Sequence, residues 1–279
     1  MARRPDQRQR LLPAPPAFFL ADGGTPARLL PEDAQHAVRV MRLGVGDLLL
    51  GLDGRGARHP LRIRALHRSE LELEPAGPVE LLPAPGEEGS PLPWFELAIS
   101  WPRKVRVEAM LGRLVQLGVA AIRPLIALQR GPEEVHAEAP ARLQRVVREA
   151  CKQAGRAWLP SFEPALATSA FLRAPAPGAL AALDPRAGLP FDMWLRSLQP
   201  SPQGIGTRAR PIVLAVGPEG GWSADEERAF LDANAALTWL GPYVLRVETA
   251  AEAAMAVAAA VHGRSALREP SRAAPDELE

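Results

Sequence analysis

Residues 210–233 read "RPIVLAVGPEGGWSADEERAFLDA". The apolar run Ile212–Val216 has no polar alternation, as expected of a strand buried on both faces. Gly217-Pro-Glu-Gly-Gly221 then excludes both helix interior and regular strand. Ser223 with Glu226 three positions on is the signature of a capped helix start, so "SADEERAFLDA" (223–233) is expected to be a helix. Strand, flexible loop and helix in that order are one unit of an α/β fold. The glycines allow two readings: a tight strand-to-helix turn, or a loop at a strand's carboxyl end that lets a small ligand approach the main chain. The loop lacks the Lys-Ser/Thr of a phosphate-gripping loop and the Gly-x-Gly-x-x-Gly dinucleotide spacing.

The same alternation extends on both sides. "WFELAIS" (94–100), "VAAIRPLIAL" (119–128), "ALAALD" (179–184) and "ALTWLG" (236–241) read as strands, and "LPSFEP" as strand or loop. "KVRVEAMLGRLVQLG" (104–118), "PARLQRVVREACKQAGR" (140–156) and a last segment over about 249–262 read as helices. The Pro-rich stretch 167–210 is otherwise unreadable. A second loop candidate, "LGPYVLRVETAAEAAM" (240–255), brings Arg246, Glu248 and Thr249 together before an Ala-rich helix. It is either a capped helix with a local ion pair or part of a site.

Upstream the text changes character. "AFFLA" (17–21), "DLLLGLDG" (47–54), "RHPLRIRAL" (58–66) and "ELELEPA" (70–76) read as short strands, the last two with the alternation of half-buried ones, and "EDAQHAVRVMRL" (32–43) as a helix. This predicts a small β-rich domain over 17–82, a linker at 83–93 within "LLPAPGEEGSPLP", and an α/β domain over 94–265, with disordered tails at 1–16 and 266–279.

In a chain of 279 residues, one cysteine, Cys151, excludes an intramolecular disulfide and a four-cysteine metal site. A cytoplasmic location is expected: a signal peptide and an apolar run of membrane-spanning length are both absent from the text. The five histidines lack metal-ligand spacing, so no metal is expected. Net charge is only +1, yet Lys104 and Lys152 are the only lysines among 33 basic residues. Arginine usage of this kind reflects either genome composition or phosphate recognition. On the 140–156 helix, Arg142, Arg145, Arg148, Lys152 and Arg156 share a stripe about 120° wide. Leu143, Val146, Val147, Ala150 and Ala154 fall on another face. The stripe, interrupted by Glu149, is either a solvated face or a track for nucleic-acid phosphates.

Taken in order, "HAVRVMRLGVGD" (36–47), "LDGRG" (52–56), "KVRVEAMLGRLVQLGVAAIRPL" (104–125), "REACKQAGRAWLP" (148–160), "VGPEGGWSADE" (216–226) and "LGPYVLRVETAAEAA" (240–254) resemble the ribosomal RNA small subunit methyltransferase E family. The resemblance spans about 17–265. It implies an α/β fold with a C-terminal SPOUT domain tied in a deep trefoil knot, and a small N-terminal PUA-like β-barrel that binds RNA. It implies S-adenosylmethionine as cofactor, methylation of N3 of one uridine in 16S rRNA of the small ribosomal subunit, and a homodimer through the knot region. The cofactor residues it implies are Leu214, Gly217, Pro218, Glu219, Gly220 and Gly221, then Leu240, Gly241, Val244, Leu245, Arg246 and Thr249. For that reaction Arg246 is expected to stabilise charge developing on the uracil oxygens and Glu248 to act as the base, with Glu219 the second candidate for the base. Arg39, Arg42, Lys104, Arg130, Gln153 and Arg156 are the residues expected to face RNA, joined by Arg145, Arg148 and Lys152 of the basic stripe. The sequence departs from the family pattern at Gln116, Tyr243 and Val247, where Glu, Arg and Thr are common.

Overall fold

The computed structural model describes residues 15–21, 27–67, 70–127, 141–173 and 178–264. The two expected tails, apart from Pro15 and Pro16, and Arg130 lie outside these. The described chain forms two compact units. One holds the residues up to Leu82 together with Gly155–Trp158; the other holds the rest.

In the first unit, β1 (Ala17–Phe19), α1 (Pro31–Arg39), β2 (Leu48–Leu52), β3 (Ala57–His67), β4 (Glu70–Pro75) and β5 (Glu80–Leu81) follow in sequence. The sheet order is β1-β2-β3-β4, with β5 also on β3; β1 runs parallel to β2 and the other pairs are antiparallel. Phe18, Leu49, Leu61, Ile63 and Leu71 fill its core, and α1 contributes Ala34 and Ala37. Buried Asp33 accepts the Phe19 N–H at 3.1 Å, fastening α1 to β1. The helix stops at Arg39, short of the expected 43. Arg42 takes a left-handed φ of 56°, and the Leu43 N–H returns to the Ala37 carbonyl. The "LDGRG" turn is closed by distant residues: the Gly56 N–H reaches the Ala157 carbonyl, and Trp158 Nε1 donates to Leu82 O at 2.9 Å. Gly56, at φ +105°, is needed there because a Cβ would lie 2.6 Å from the Trp158 ring.

The second unit runs β6 (Phe95–Ile99), α2 (Lys104–Gln116), β7 (Ala121–Ile126), α3 (Ala141–Ala154), β8 (Ser161–Phe162), β9 (Leu166–Ala167), α4 (Thr168–Arg173), β10 (Ala179–Leu183), β11 (Leu189–Pro190), α5 (Phe191–Ser197), β12 (Ile212–Val216), α6 (Ala224–Asp232), β13 (Ala236–Trp239) and α7 (Val247–His262). Its strands are parallel in the order β11-β13-β10-β12-β6-β7-β8, with β9 also on β7. Pro124, which has no N–H to donate, stands between the β8 pairing at Ala121–Ile122 and the β9 pairing at Leu125–Ile126. Helices cover both faces, which is why β6 and β12 are buried throughout, the one charged residue, Glu96, being paired with Arg123. On one face Met110, Leu111 and Leu114 of α2, Phe191 and Leu195 of α5, and Ala251, Ala254, Met255 and Ala258 of α7 form a single core with the sheet. The small residues of α7 therefore let it approach its own α2 and α5. The other core joins Leu180, Val213, Trp222 and Phe230.

Residues 83–93, expected as a linker, fall within the second unit. The Gly86 N–H donates to Leu92 O, the Trp94 N–H to Gly206 O, and the Arg264 N–H to Pro91 O, so the segment is built into the second unit. The poorly readable 167–210 stretch holds the expected strand β10 and four further elements, β9, α4, β11 and α5.

Candidate active site

The register aligns three strand ends: Leu183 of β10 pairs with Val216 of β12 and with Thr238 of β13. Carboxyl ends of parallel strands are where an open α/β sheet leaves a crevice. Here the crevice is a cavity of about 370 Å³. Its first wall is Val216–Trp222. The Gly221 N–H returns to Pro218 O at 2.9 Å and Gly221 sits at φ 75°, so the glycine loop is a turn as well as a wall. Trp222 anchors this wall. Its ring meets Phe230 edge-on at 4.7 Å and its Nε1 donates to Leu183 O at 3.0 Å. Ser223 and Glu226 then cap α6 reciprocally.

The second wall comes from the end of β13: Thr238–Gly241 and Tyr243–Leu245, followed by Val247 and Ala250 of α7. Tyr243 and Val244 are 79% and 78% exposed. A third wall, not foreseen from sequence, is Leu183-Asp184-Pro185-Arg186 at the end of β10. The buried Asp184 accepts from the Arg186 backbone at 2.8 Å and from its guanidinium. Burial pushes the Asp184 carboxyl up, but its hydrogen bonds and the charge of Arg186 prevail and hold it below the ordinary value of 3.8. Asp184, Arg186, Thr238 and Trp239 were all missed. A usable signal was present: "LDPRAG" follows a strand just as "VGPEGG" does, and the carboxyl-end rule applies to both.

Of the twelve expected cofactor residues, Gly217, Pro218, Glu219, Gly220, Gly221, Leu240, Gly241, Val244 and Leu245 line the cavity. Leu214 does not; it is fully buried in the sheet core. Arg246 and Thr249 are exposed and outside the wall. The reason is the helix start. α7 begins at Val247 with Arg246 as N-cap, not near 249, so Val247 and Ala250, one turn apart, face the cavity in place of Thr249. Glu248 is also outside the wall and receives Arg106 Nη1 on Oε1 at 2.8 Å, while its Oε2 is buried with no partner among the described residues.

The basic stripe is only partly free. Lys152 pairs with Glu149 at 2.7 Å and Arg142 pairs with Glu108 of α2. Arg145 is exposed and Arg148 half-buried; Gln153 accepts from Gln116 Nε2 at 3.5 Å. Lys104, Arg39 and Arg42 are exposed, and Arg156 is half-buried. Cys151 is buried. Among the described residues no cluster of three or more His, Cys, Asp or Glu could hold a metal, and no helix is long and apolar enough to cross a membrane.

A parallel α/β sheet whose glycine-rich loops frame a cavity at the strand ends matches the class of RNA methyltransferases: a family model described as RNA methyltransferase domain covers residues 88–259. A ribosomal RNA small subunit methyltransferase E from Synechocystis is 32% identical over 231 residues, 82% of this chain and 71% of that protein. One from Mycobacterium bovis is 30% identical over 255 residues, 85% of this chain and 87% of that protein. The crystal structure of a ribosomal RNA small subunit methyltransferase E from Neisseria gonorrhoeae bound to S-adenosyl methionine superposes with a TM-score of 0.71 at 27% identity, covering 89% of this chain and 98% of that one. The chain belongs to the ribosomal RNA small subunit methyltransferase E family.

Proposed function

We propose that the protein methylates N3 of a uridine in 16S rRNA of the small ribosomal subunit, with S-adenosylmethionine held in the cavity at the ends of β10, β12 and β13. The cavity carries the reading. Its volume of about 370 Å³ lies within the ~300–1,000 Å³ of small-molecule sites. Its wall is rich in main chain where Gly217, Gly220, Gly221 and Gly241 stand, so backbone N–H and C=O groups are available to the edge of a purine. Thr238 of the wall is fully buried and its Oγ1 has no partner among the described residues, a cost that a polar ligand or a water would relieve. These features fit the group. When bound, S-adenosylmethionine supplies a methyl on a sulfonium, which an in-line nucleophile can take.

The chain's task is then to position the uracil and to remove the N3 proton. Arg246, exposed at the N-terminus of α7 beside the second wall, is assigned to the charge that develops on the uracil oxygens. The unpartnered Oε2 of Glu248, next along the helix, is assigned as proton acceptor. RNA contact is assigned to Arg39, Arg42, Lys104, Arg130, Arg145, Arg148, Lys152, Gln153 and Arg156.

The finer architecture belongs to the same reading: a trefoil knot in the second unit, a PUA-like barrel in the first, a homodimer through the knot region, and work in the cytoplasm. Exposed Tyr243 and Val244 on the cavity rim support the dimer, since apolar side chains at a binding site favour a cover.

The deciding experiment is methyl transfer to small subunits from cells lacking this protein, with the product nucleotide mapped by mass spectrometry. Label on uracil N3 is expected; label on a ribose 2′-oxygen would refute the base assignment. If Glu248→Gln turns over at near wild-type rate with normal donor affinity, the proton acceptor is another group.

A further inference from the structure

Three hydroxyl side chains are buried among the described residues: Ser100, Thr168 and Thr238. The first two are bonded to main chain. Ser100 Oγ donates to Leu125 O at 3.3 Å, and Thr168 Oγ1 donates to Ile126 O at 3.4 Å. Thr238 is 0% exposed, yet its Oγ1 has no partner among the described residues. Of the three, Thr238 alone lines the cavity. The carbonyls beside it are engaged elsewhere: Thr238 O accepts the Asp184 N–H at 2.8 Å, and Leu183 O accepts Trp222 Nε1 at 3.0 Å.

The direction of this side chain follows from the alternation of β13. Leu237 packs against the core of Trp222 and Phe230, so Thr238, one residue on, points to the opposite face. Leu183, Val216 and Val247 stand on that face, and all three line the cavity. Thr238 thus sets a single hydroxyl in an apolar part of the wall. The amino-acid tail and the ribose of a methyl donor each need several polar partners. A flat heterocycle needs apolar surface and a few hydrogen bonds along its edge, which is what this part of the wall offers.

We propose that Thr238 is a specificity-determining residue of the donor site, its Oγ1 hydrogen-bonding the edge of the adenine of S-adenosylmethionine. This rests on the reading of the cavity as the donor site. A hydroxyl serves here as donor or acceptor, so it can meet a ring nitrogen or the exocyclic amine. The unpaired hydroxyl destabilises the ligand-free protein, and binding removes that cost. Stability and affinity are therefore opposed at this one position.

The test measures both quantities on the full chain: the melting temperature without ligand, and calorimetric titration with S-adenosylmethionine and with 5′-methylthioadenosine, which keeps the adenine and lacks the amino-acid tail. Thr238→Val keeps the branched shape and removes the hydroxyl. It should raise the ligand-free melting temperature by about 2–4 °C and weaken both ligands about five- to thirtyfold. Thr238→Ser, which keeps the hydroxyl, should recover most of the affinity for both. Unchanged affinity in Thr238→Val overturns the proposal. So does a loss confined to S-adenosylmethionine, which moves the contact to the tail. A loss accompanied by a lower melting temperature also overturns it, since the hydroxyl would then support the fold. If wild-type protein binds neither ligand, the donor-site reading falls first and takes the proposal with it.

Discussion

The two helices that start at the cavity are built in opposite ways. α6 begins with a reciprocal Ser223–Glu226 cap and three acidic residues in its first turn, and the loop before it is pinned by Trp222. α7 begins at Arg246 with no side-chain cap, after a loop whose Tyr243 and Val244 project outward. The first wall is anchored from within the chain, by the α6 cap and by the Trp222 hydrogen bond. The second leaves its helix N-terminus and its apolar residues available to something else, which is where a substrate or a second copy can act.

This contrast can be broken in graded ways. Trp222→Ala should have the largest effect, destabilising the second unit by about 3–5 kcal/mol in denaturant unfolding, because a buried ring and its hydrogen bond are lost together. Ser223→Ala should cost about 1 kcal/mol, whereas Arg246→Ala at the uncapped start should leave stability almost unchanged and lower turnover. Arg106→Met, which leaves the Glu248 carboxylate without its cation, should cost about 1 kcal/mol, and more than Glu248→Gln does.

The far end of α7 provides a smaller, pH-dependent effect. His262 is partly buried against Leu195 O at 2.9 Å, and burial lowers its pKa from 6.5, against the opposing pull of that carbonyl. The unfolded chain therefore takes up the proton more readily. Stability is complete above pH 6.5 and declines as pH falls from there toward the lower folded value. Melting curves across this range should show the decline in wild type and its absence in His262→Gln. Tyr243→Ala should have the smallest effect on folding, under ~0.5 kcal/mol at so exposed a position. It should nonetheless reduce the dimer fraction in analytical ultracentrifugation; a dimer as tight as wild type would remove Tyr243 from the interface.

Legibility in the sequence followed the same division. The β12 loop and α6 could be read residue by residue because their signals are local: an apolar run, glycines, a capping box. The start of α7 was placed two residues late because Val247 and Glu248 offer no cap to mark it. In the first unit, alternation in β3 and β4 was visible, but the early end of α1 was not, since it depends on a left-handed Arg42 rather than on a breaker at that position. β8 falls within "LPSFEP", read as strand or loop, whereas β9 and β11 are two-residue strands fixed only by their neighbours, so no local pattern announces them. Asp184 carried a local signal in "LDPRAG", but Thr238 became a site residue only when β13 paired with β10, whose partner residues lie more than fifty positions apart in the chain.

The Trp158 plug bears on how the chain is made. Gly155–Trp158 belongs to the first unit, where the Ala157 carbonyl and the Trp158 ring close the turn at Gly56 and meet the carbonyl of Leu82. Synthesis proceeds from the N-terminus, so when Leu82 leaves the ribosome this unit still lacks one of its parts. It can be completed only after α2, β7 and α3 of the other unit have also been made. The two units are thus interleaved in time as well as in sequence, and a fragment ending at Leu82 would leave the turn at Gly56 open.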